Sequence, residues 1–325
     1  MTKLGYQIPN FTYPGVGPDT LFDEVARQAI EAEASGFDTV LVMDHFYQLP
    51  SIGPADNYML ECYTLLAGLA GVTDRVRLSA LVTGNTYRNP AVLAKTVSTL
   101  DVVSRGRAQL GIGAGWYELE HESFGIEFGT FTERFEKLEE ALQIILPMLR
   151  GEKVSFSGKH YSTHEAFASP APIGPVPVLI GGSGEKKTLR MVAQYADESN
   201  LICGPHEVPR KLEALAGHCE ALGRDRSELT VTYQRSACVA PTTAEAEADR
   251  DTYLRSMGLD PSSMSDEEAA AMEDRIITGD PDTVAERLSA DLVDGLDGFT
   301  INLPASAHIP GRVELLGRAV APLIR

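Results

Sequence analysis

Asp44 and His45 stand side by side at the end of an apolar, β-branched run, Thr39-Val40-Leu41-Val42-Met43. A carboxylate beside an imidazole can grip a ligand's polar edge and move a proton near neutrality, because histidine ordinarily titrates at about pH 6.5. Three further apolar runs end in unusual chemistry. Leu78–Val82 runs into Thr83-Gly84-Asn85-Thr86, which offers hydroxyls, an amide and a flexible backbone. Leu110–Ile112 continues through Gly113-Ala114-Gly115 to Trp116, and alternate glycines let a backbone approach a ligand closely. Val178–Ile180 ends in Gly181-Gly182-Ser183-Gly184, followed by Lys186, Lys187 and Arg190. A glycine loop opening a helix binds phosphate through free N–H groups and the helix dipole. The four run ends are expected to converge on one site.

Each stretch also has a plainer reading. Asp44-His45 can cap a loop or form an ion pair. The Thr83–Thr86 run can be an ordinary loop before a helix-start proline, Pro90. The glycines after Leu110 can relieve crowding of a barrel wall, and Trp116 can line a pocket or sit in the core. No competing catalytic set occurs. Gly181-Gly182-Ser183-Gly184-Glu185 lacks the last glycine of a nucleophile elbow. There is no H-E-x-x-H, and the dispersed histidines argue against a metal site. Should His45 not carry the proton, Glu118, Glu120 or water comes next.

The elements that position these residues alternate regularly. Strands are expected at 3–9, 39–44, 76–82, 108–112, 176–180, 199–203, 229–239 and 298–302. Helices are expected from Asp19 or Thr20 to Ser35, and at 59–70, 90–103, 131–149, 186–195, 208–222, 281–292 and from 312. The first helix should bury Phe22, Val25, Ala26, Ala29 and Ile30. A hairpin over Lys153–Tyr161, turning at Ser157-Gly158, interrupts the rhythm after strand four. An acidic, helical insertion at about 242–275 interrupts it after strand seven and either lies over the site as a lid or is a solvated excursion. Eight strands alternating with eight helices specify an α/β fold, a (β/α)8 TIM-type barrel with these two insertions, in one domain over 1–325. A doubly wound dinucleotide fold would need G-x-G-x-x-G after its first strand; here the run follows strand four and places Trp116 at the third glycine.

Lys and Arg number 28 against 46 Asp and Glu, and the net charge of −18 repels nucleic acid and anionic lipid. Any anionic ligand must therefore be held by local donors. No apolar run has the length of a membrane span, and no signal peptide is expected, because a strand is expected to begin at Lys3. Cys62, Cys203, Cys219 and Cys238 show no CxxC spacing and are expected as free thiols of a cytoplasmic protein.

The ordered set of motifs resembles the luciferase-like superfamily of flavin and deazaflavin oxidoreductases over nearly the whole chain. It comprises Val42-Met43-Asp44-His45, Leu81 to Pro90, Leu110 to Tyr117, Ile180 to Gly184, and Ile277-Thr278-Gly279-Asp280-Pro281. The loop after strand three resembles the branch using the deazaflavin coenzyme F420 more than the branch using FMN. The resemblance implies a TIM-type barrel, often a homodimer, acting on a small organic substrate. It implies that Asp44 contacts the deazaflavin and that His45 is catalytic, serving the proton transfer. It implies a non-proline cis peptide near Leu81-Val82 behind the ring, with Thr83 and Thr86 close by. Gly113, Gly115 and Trp116 would line ring and tail, and Gly181, Gly182, Ser183 and Gly184 would hold the tail phosphate. The family's sugar-phosphate dehydrogenases carry a glutamate where Trp116 stands and a tryptophan near Leu49; this chain has neither. A rim of Trp116, Tyr117, Phe46, Tyr47 and Leu49 suits a larger, less polar substrate than glucose 6-phosphate. The expected activity is F420-dependent hydride transfer between C5 and an organic substrate. The alternatives are an FMN-dependent two-component monooxygenase and a non-catalytic F420-binding protein.

Overall fold

A computed structural model describes residues 2–324. Its strands are β1 (Lys3–Ile8), β2 (Thr39–Val42), β3 (Arg77–Ala80), β4 (Thr83–Gly84), β5 (Ala108–Gly113), β6 (Val154–Ser157), β7 (Ser162–Ala166), β8 (Val178–Gly181), β9 (Glu198–Leu201), β10 (Thr230–Val239), β11 (Ile276–Gly279) and β12 (Gly298–Asn302). Parallel neighbours run β12, β1, β2, β3, β5, β8, β9, β10, and β10 pairs back to β12, which closes eight strands into a barrel. Closure pairs each of these eight strands on both sides. The helices at 21–34, 62–70, 90–103, 131–149, 188–195, 208–222, 281–291 and 312–320 alternate with these strands. No helix among the described residues is long and apolar enough to cross a membrane.

Alternation along each strand sorts the side chains. On β1, Leu4, Tyr6 and Ile8 join the main apolar core. Gln7 instead meets Gln234 at 2.7 Å and Asn302 at 2.8 Å. Asn200 bonds Thr232 and Thr300 in the same way, at 2.9 and 3.1 Å. One side of the barrel interior is thus a connected set of buried polar groups. The other is a small apolar cluster of Leu41, Leu81 and Leu179 with Val82 against it. Hydrogen bonds offset the cost of burying these amides, although Asn200 Oδ1 is left without a partner among the described residues.

The third strand is interrupted where the sequence suggests one continuous strand to Val82. β3 ends at Ala80, the Leu81-Val82 peptide is cis, and β4 resumes pairing with β5. Ser79 faces Gln109 and Thr83 faces Ile112, so the interrupted strand holds one extra residue against its neighbour. Gly111 makes this possible: a Cβ there would lie 1.9 Å from the Ala80 carbonyl oxygen.

Other boundaries move. The helix expected from 59 starts at Cys62, after Glu61 accepts from the Thr64 N–H at 2.7 Å. The helix expected from Lys186 starts at Thr188. The hairpin is real but shifted: its second strand is Ser162–Ala166, because the turn spans Gly158 to Tyr161 and closes with Gly158 N–H to Tyr161 O at 2.9 Å. Phe22 and Ile30 are exposed; the first helix buries Leu21, Gln28 and Ala32 beside Val25, Ala26 and Ala29. Two elements were not foreseen, a helix at Glu118–Phe124 and β11, which pairs with the far end of the ten-residue β10. All four cysteines are free, three of them buried.

Replacing Gly111 with alanine should push β5 away from Ala80 and cost about 1–3 kcal/mol or more, the range for overpacking a closed interior. Urea unfolding should show the midpoint falling; an unchanged midpoint would mean that the barrel relaxes freely around the added methyl.

Candidate active site

A cavity of about 900 Å³ opens at the C-terminal ends of the barrel strands. Asp44, His45, Leu81, Val82, Thr83, Gly113, Gly115, Trp116, Gly181 and Gly182 all line it, so the four run ends do converge. Thr86, Ser183 and Gly184 do not. The Thr86 hydroxyl bonds His121 Nε2 at 2.7 Å and occupies the space beside Gly115 where a side chain would lie. Ser183 Oγ turns back on Ile202, accepting from its N–H and donating to its carbonyl, each at 2.8 Å. Gly184 accepts the Leu189 N–H at 3.0 Å and closes the turn into the helix. Of the aromatic rim, Trp116 and Leu49 reach the cavity; Phe46 packs instead on Tyr87 and Phe124, with ring centroids 4.7 and 4.5 Å apart.

The glycines have a packing cause as well. A Cβ on Gly113 or Gly181 would meet the Val82 side chain at 2.9 or 2.7 Å. Val82 sits between β5 and β8 because both offer it glycine. The barrel-crowding reading of these positions and the cavity-lining reading therefore both hold.

Asp44 is buried and held from behind. Arg88 donates to both its oxygens, Nη1 to Oδ2 at 2.7 Å and Nη2 to Oδ1 at 2.9 Å, and the Gly84 N–H adds a third bond at 3.0 Å. Arg88 also reaches Glu61 at 2.6 Å. Burial opposes charge on Arg88, but the two carboxylates outweigh it and hold the guanidinium above its ordinary pKa. Fork-to-fork pairing of this kind fixes geometry as well as charge. It ties the end of β2 to the chain just after β4.

His45 is held by a residue that the sequence does not single out. Glu120 is fully buried, in the unforeseen short helix. Its Oε2 takes His45 Nδ1 at 2.9 Å and the Tyr87 hydroxyl, and its Oε1 takes the N–H groups of Phe46 and Tyr47, the latter at 2.9 Å. Four bonds converge on one carboxylate, which can accept all of them only when ionised. Burial alone would raise its pKa, but His45, Tyr87 and Tyr47 outweigh that and hold it below the usual glutamate range. An ionised Glu120 requires the proton on Nδ1 of His45, which leaves Nε2 as the ring nitrogen free to exchange a proton. In Glu118-Leu119-Glu120-His121-Glu122 nothing separates Glu120 from the other two acids; only the fold buries Glu120 and exposes Glu118 and Glu122.

The far side of the cavity carries unmatched positive charge. Arg134 donates to the carbonyls of Gly115 at 3.0 Å and Gly129 at 2.8 Å, and has no ion-pair partner among the described residues. Lys187 lies over the rings of Phe131 and Phe135, 5.0 and 5.3 Å from their centroids. Lys186 and Arg190 are exposed and do not reach the cavity. Gly182, Thr188, Phe131, Phe135 and Arg134 share this wall, at the start of the helix from Thr188. Two cations and a helix start in an otherwise acidic protein suit an anionic group.

A family model described as luciferase-like monooxygenase matches residues 2–297. The chain belongs to this family. It is 35% identical over 241 residues to an F420-dependent glucose-6-phosphate dehydrogenase of Kineococcus radiotolerans, a match spanning 71% of this chain and 66% of that protein. It is 28% identical to a protein of the same name from Rhodococcus erythropolis, over 99% of this chain and 98% of the relative. Its fold is that of the coenzyme F420-dependent tetrahydromethanopterin reductase from Methanopyrus kandleri, with a TM-score of 0.78 at 20% identity, covering 100% of this chain and 99% of the other.

A carboxyl held below its ordinary pKa stabilises the fold above the ordinary glutamate range, near pH 4.3, and loses that contribution as pH falls through the folded-state value. Glu120→Gln should therefore lower the urea midpoint at pH 7, and the gap to wild type should narrow as the pH drops below about 4. A gap that is constant from pH 7 to pH 3.5 would show that the ionised form is not what the four donors need.

Proposed function

We propose that this chain is an F420-dependent oxidoreductase that passes a hydride between C5 of the deazaflavin and a carbon of a small organic substrate. The observation that carries this reading is His45, an imidazole pinned through Nδ1 by an ionised Glu120 at the mouth of the barrel, with Nε2 left for the substrate. The names of the Kineococcus and Rhodococcus relatives support F420 as the cofactor. F420 supplies two-electron hydride chemistry at C5 and reacts poorly with oxygen, so the redox step belongs to the cofactor and the protein supplies position and proton.

The residues present suit such a group. Leu81, Val82 and Gly113 form an apolar wall against which a planar ring can lie. Gly182, the helix start at Thr188 and Arg134 form the part of the wall suited to an anionic tail, with Lys187 beside it over the rings of Phe131 and Phe135. Asp44, fixed by Arg88, offers a polar edge beside the ring wall. In the oxidising direction, Nε2 of His45 takes the proton of a substrate hydroxyl as the adjacent carbon gives up its hydride. In the reducing direction the same nitrogen returns it. Glu120 stays ionised throughout and steadies the imidazolium while it exists, the part a carboxylate plays behind any catalytic histidine.

Titration of the purified protein with F420 and with FMN should show F420 bound at least tenfold more tightly; micromolar FMN binding with no detectable F420 binding would replace this reading with a flavin-dependent oxygenase. His45→Ala should slow the chemical step in single turnover by about 10²–10⁴-fold. Cofactor affinity should change far less, and the pH–rate profile should lose its limb nearest neutrality. If affinity collapses instead while the saturated single-turnover rate stays within a few-fold of wild type, His45 binds and does not transfer protons.

A further inference from the structure

The segment between β10 and β11 closes one side of the cavity. Its two helices, Thr243–Ser256 and Asp266–Arg275, present Leu254 and Met272 to the cavity, and the connection between them adds Met257 and Leu259, opposite Leu49 and Ile52 of the loop that follows His45. Two side chains of the segment bind consecutive carbonyls of that loop. Arg275 donates to Ser51 O at 2.9 Å and the Tyr253 hydroxyl donates to Ile52 O at 3.2 Å. The polar groups on this side are therefore already engaged. Arg235, the buried cation nearby, pairs with Asp291 at 2.8 Å and donates to Asp274 O at 2.8 Å. Arg275 is exposed and holds the loop.

We infer that this chamber takes an uncharged organic substrate with an apolar body, and that it does not take a phosphorylated sugar. The inference rests on the oxidoreductase reading above and names the substrate class for that site. A phosphate dianion placed here would lose its hydration and find no free buried cation, and an ionised group buried without partners is strongly disfavoured. An apolar body gains from leaving water, and two methionines give the wall the adaptability to follow different shapes. Arg134, without a carboxylate partner among the described residues, lies on the wall assigned to the cofactor, while Arg275, also without one, is exposed and already donates to Ser51 O. The chamber thus differs in chemistry from what the names of the relatives describe.

2-Octanol and glucose 6-phosphate serve as probes, with calorimetry and the emission of Trp116, the only tryptophan and 60% exposed at the cavity. Both titrations are run with and without F420. Saturable binding of 2-octanol is expected, with no response to glucose 6-phosphate at tenfold higher concentration. Met272→Lys and Ile52→Lys should each weaken octanol binding at least tenfold while the melting temperature and F420 affinity stay near wild type. Saturable glucose 6-phosphate binding that octanol does not match, or octanol affinity unchanged in both variants, overturns the inference. Octanol binding that both variants abolish, in a protein that fails to bind F420, supports the chamber and overturns the cofactor reading instead.

Discussion

The Glu120 carboxylate joins three parts of the chain at one point. It takes two N–H groups and an imidazole from the stretch after β2, a phenol from the turn after β4, and it rides on the helix after β5. Three strand ends are thereby fixed relative to one another by a single ionised group. Removing one partner from such a cluster leaves the others buried and unsatisfied, which costs more than the bond itself contributes. The position of His45 is therefore a property of the whole upper rim and not of β2 alone.

A second ion pair does the same work one residue earlier. Asp44 is anchored by Arg88 and Gly84, so β2 is tied to the interrupted third strand from two adjacent residues on opposite sides. The interruption itself depends on glycines: Gly111 admits the Ala80 carbonyl, and Gly113 and Gly181 admit Val82. The same small residues that let the barrel wall close also leave the cavity its depth. Packing and function do not compete at these positions; one geometry serves both.

The cavity then divides by chemistry. Arg134 and a helix start occupy one wall, an apolar chamber another, and the imidazole stands at the barrel mouth. The proposed hydride transfer would need two partners seated side by side away from water, and two walls of different polarity suit that ordering. The segment that completes the chamber is acidic, yet Leu254, Met257, Leu259 and Met272 face the cavity.

The sequence by itself determined the elements and their order. Buried strands announce themselves as short apolar runs, Pro90 after Asn89 marks a helix start, and eight repeats of strand and helix leave few folds but the closed barrel. The same runs pointed to Asp44, His45, Trp116 and the glycines, because chemistry after a buried strand is legible as a change of composition. What tertiary structure decided is which groups share a bond across the barrel. Glu120 is one acid among several in its helix, and only the packing of that helix against the stretch after β2 and the turn after β4 buries it and gives it four donors. Thr86, Ser183 and Gly184 have the right composition for the site, but their hydrogen bonds point elsewhere, to His121, Ile202 and Leu189. Spacing along a chain fixes which face a residue takes on its own element. Which partner it meets is set by how the elements pack, and that depends on contacts far apart in sequence.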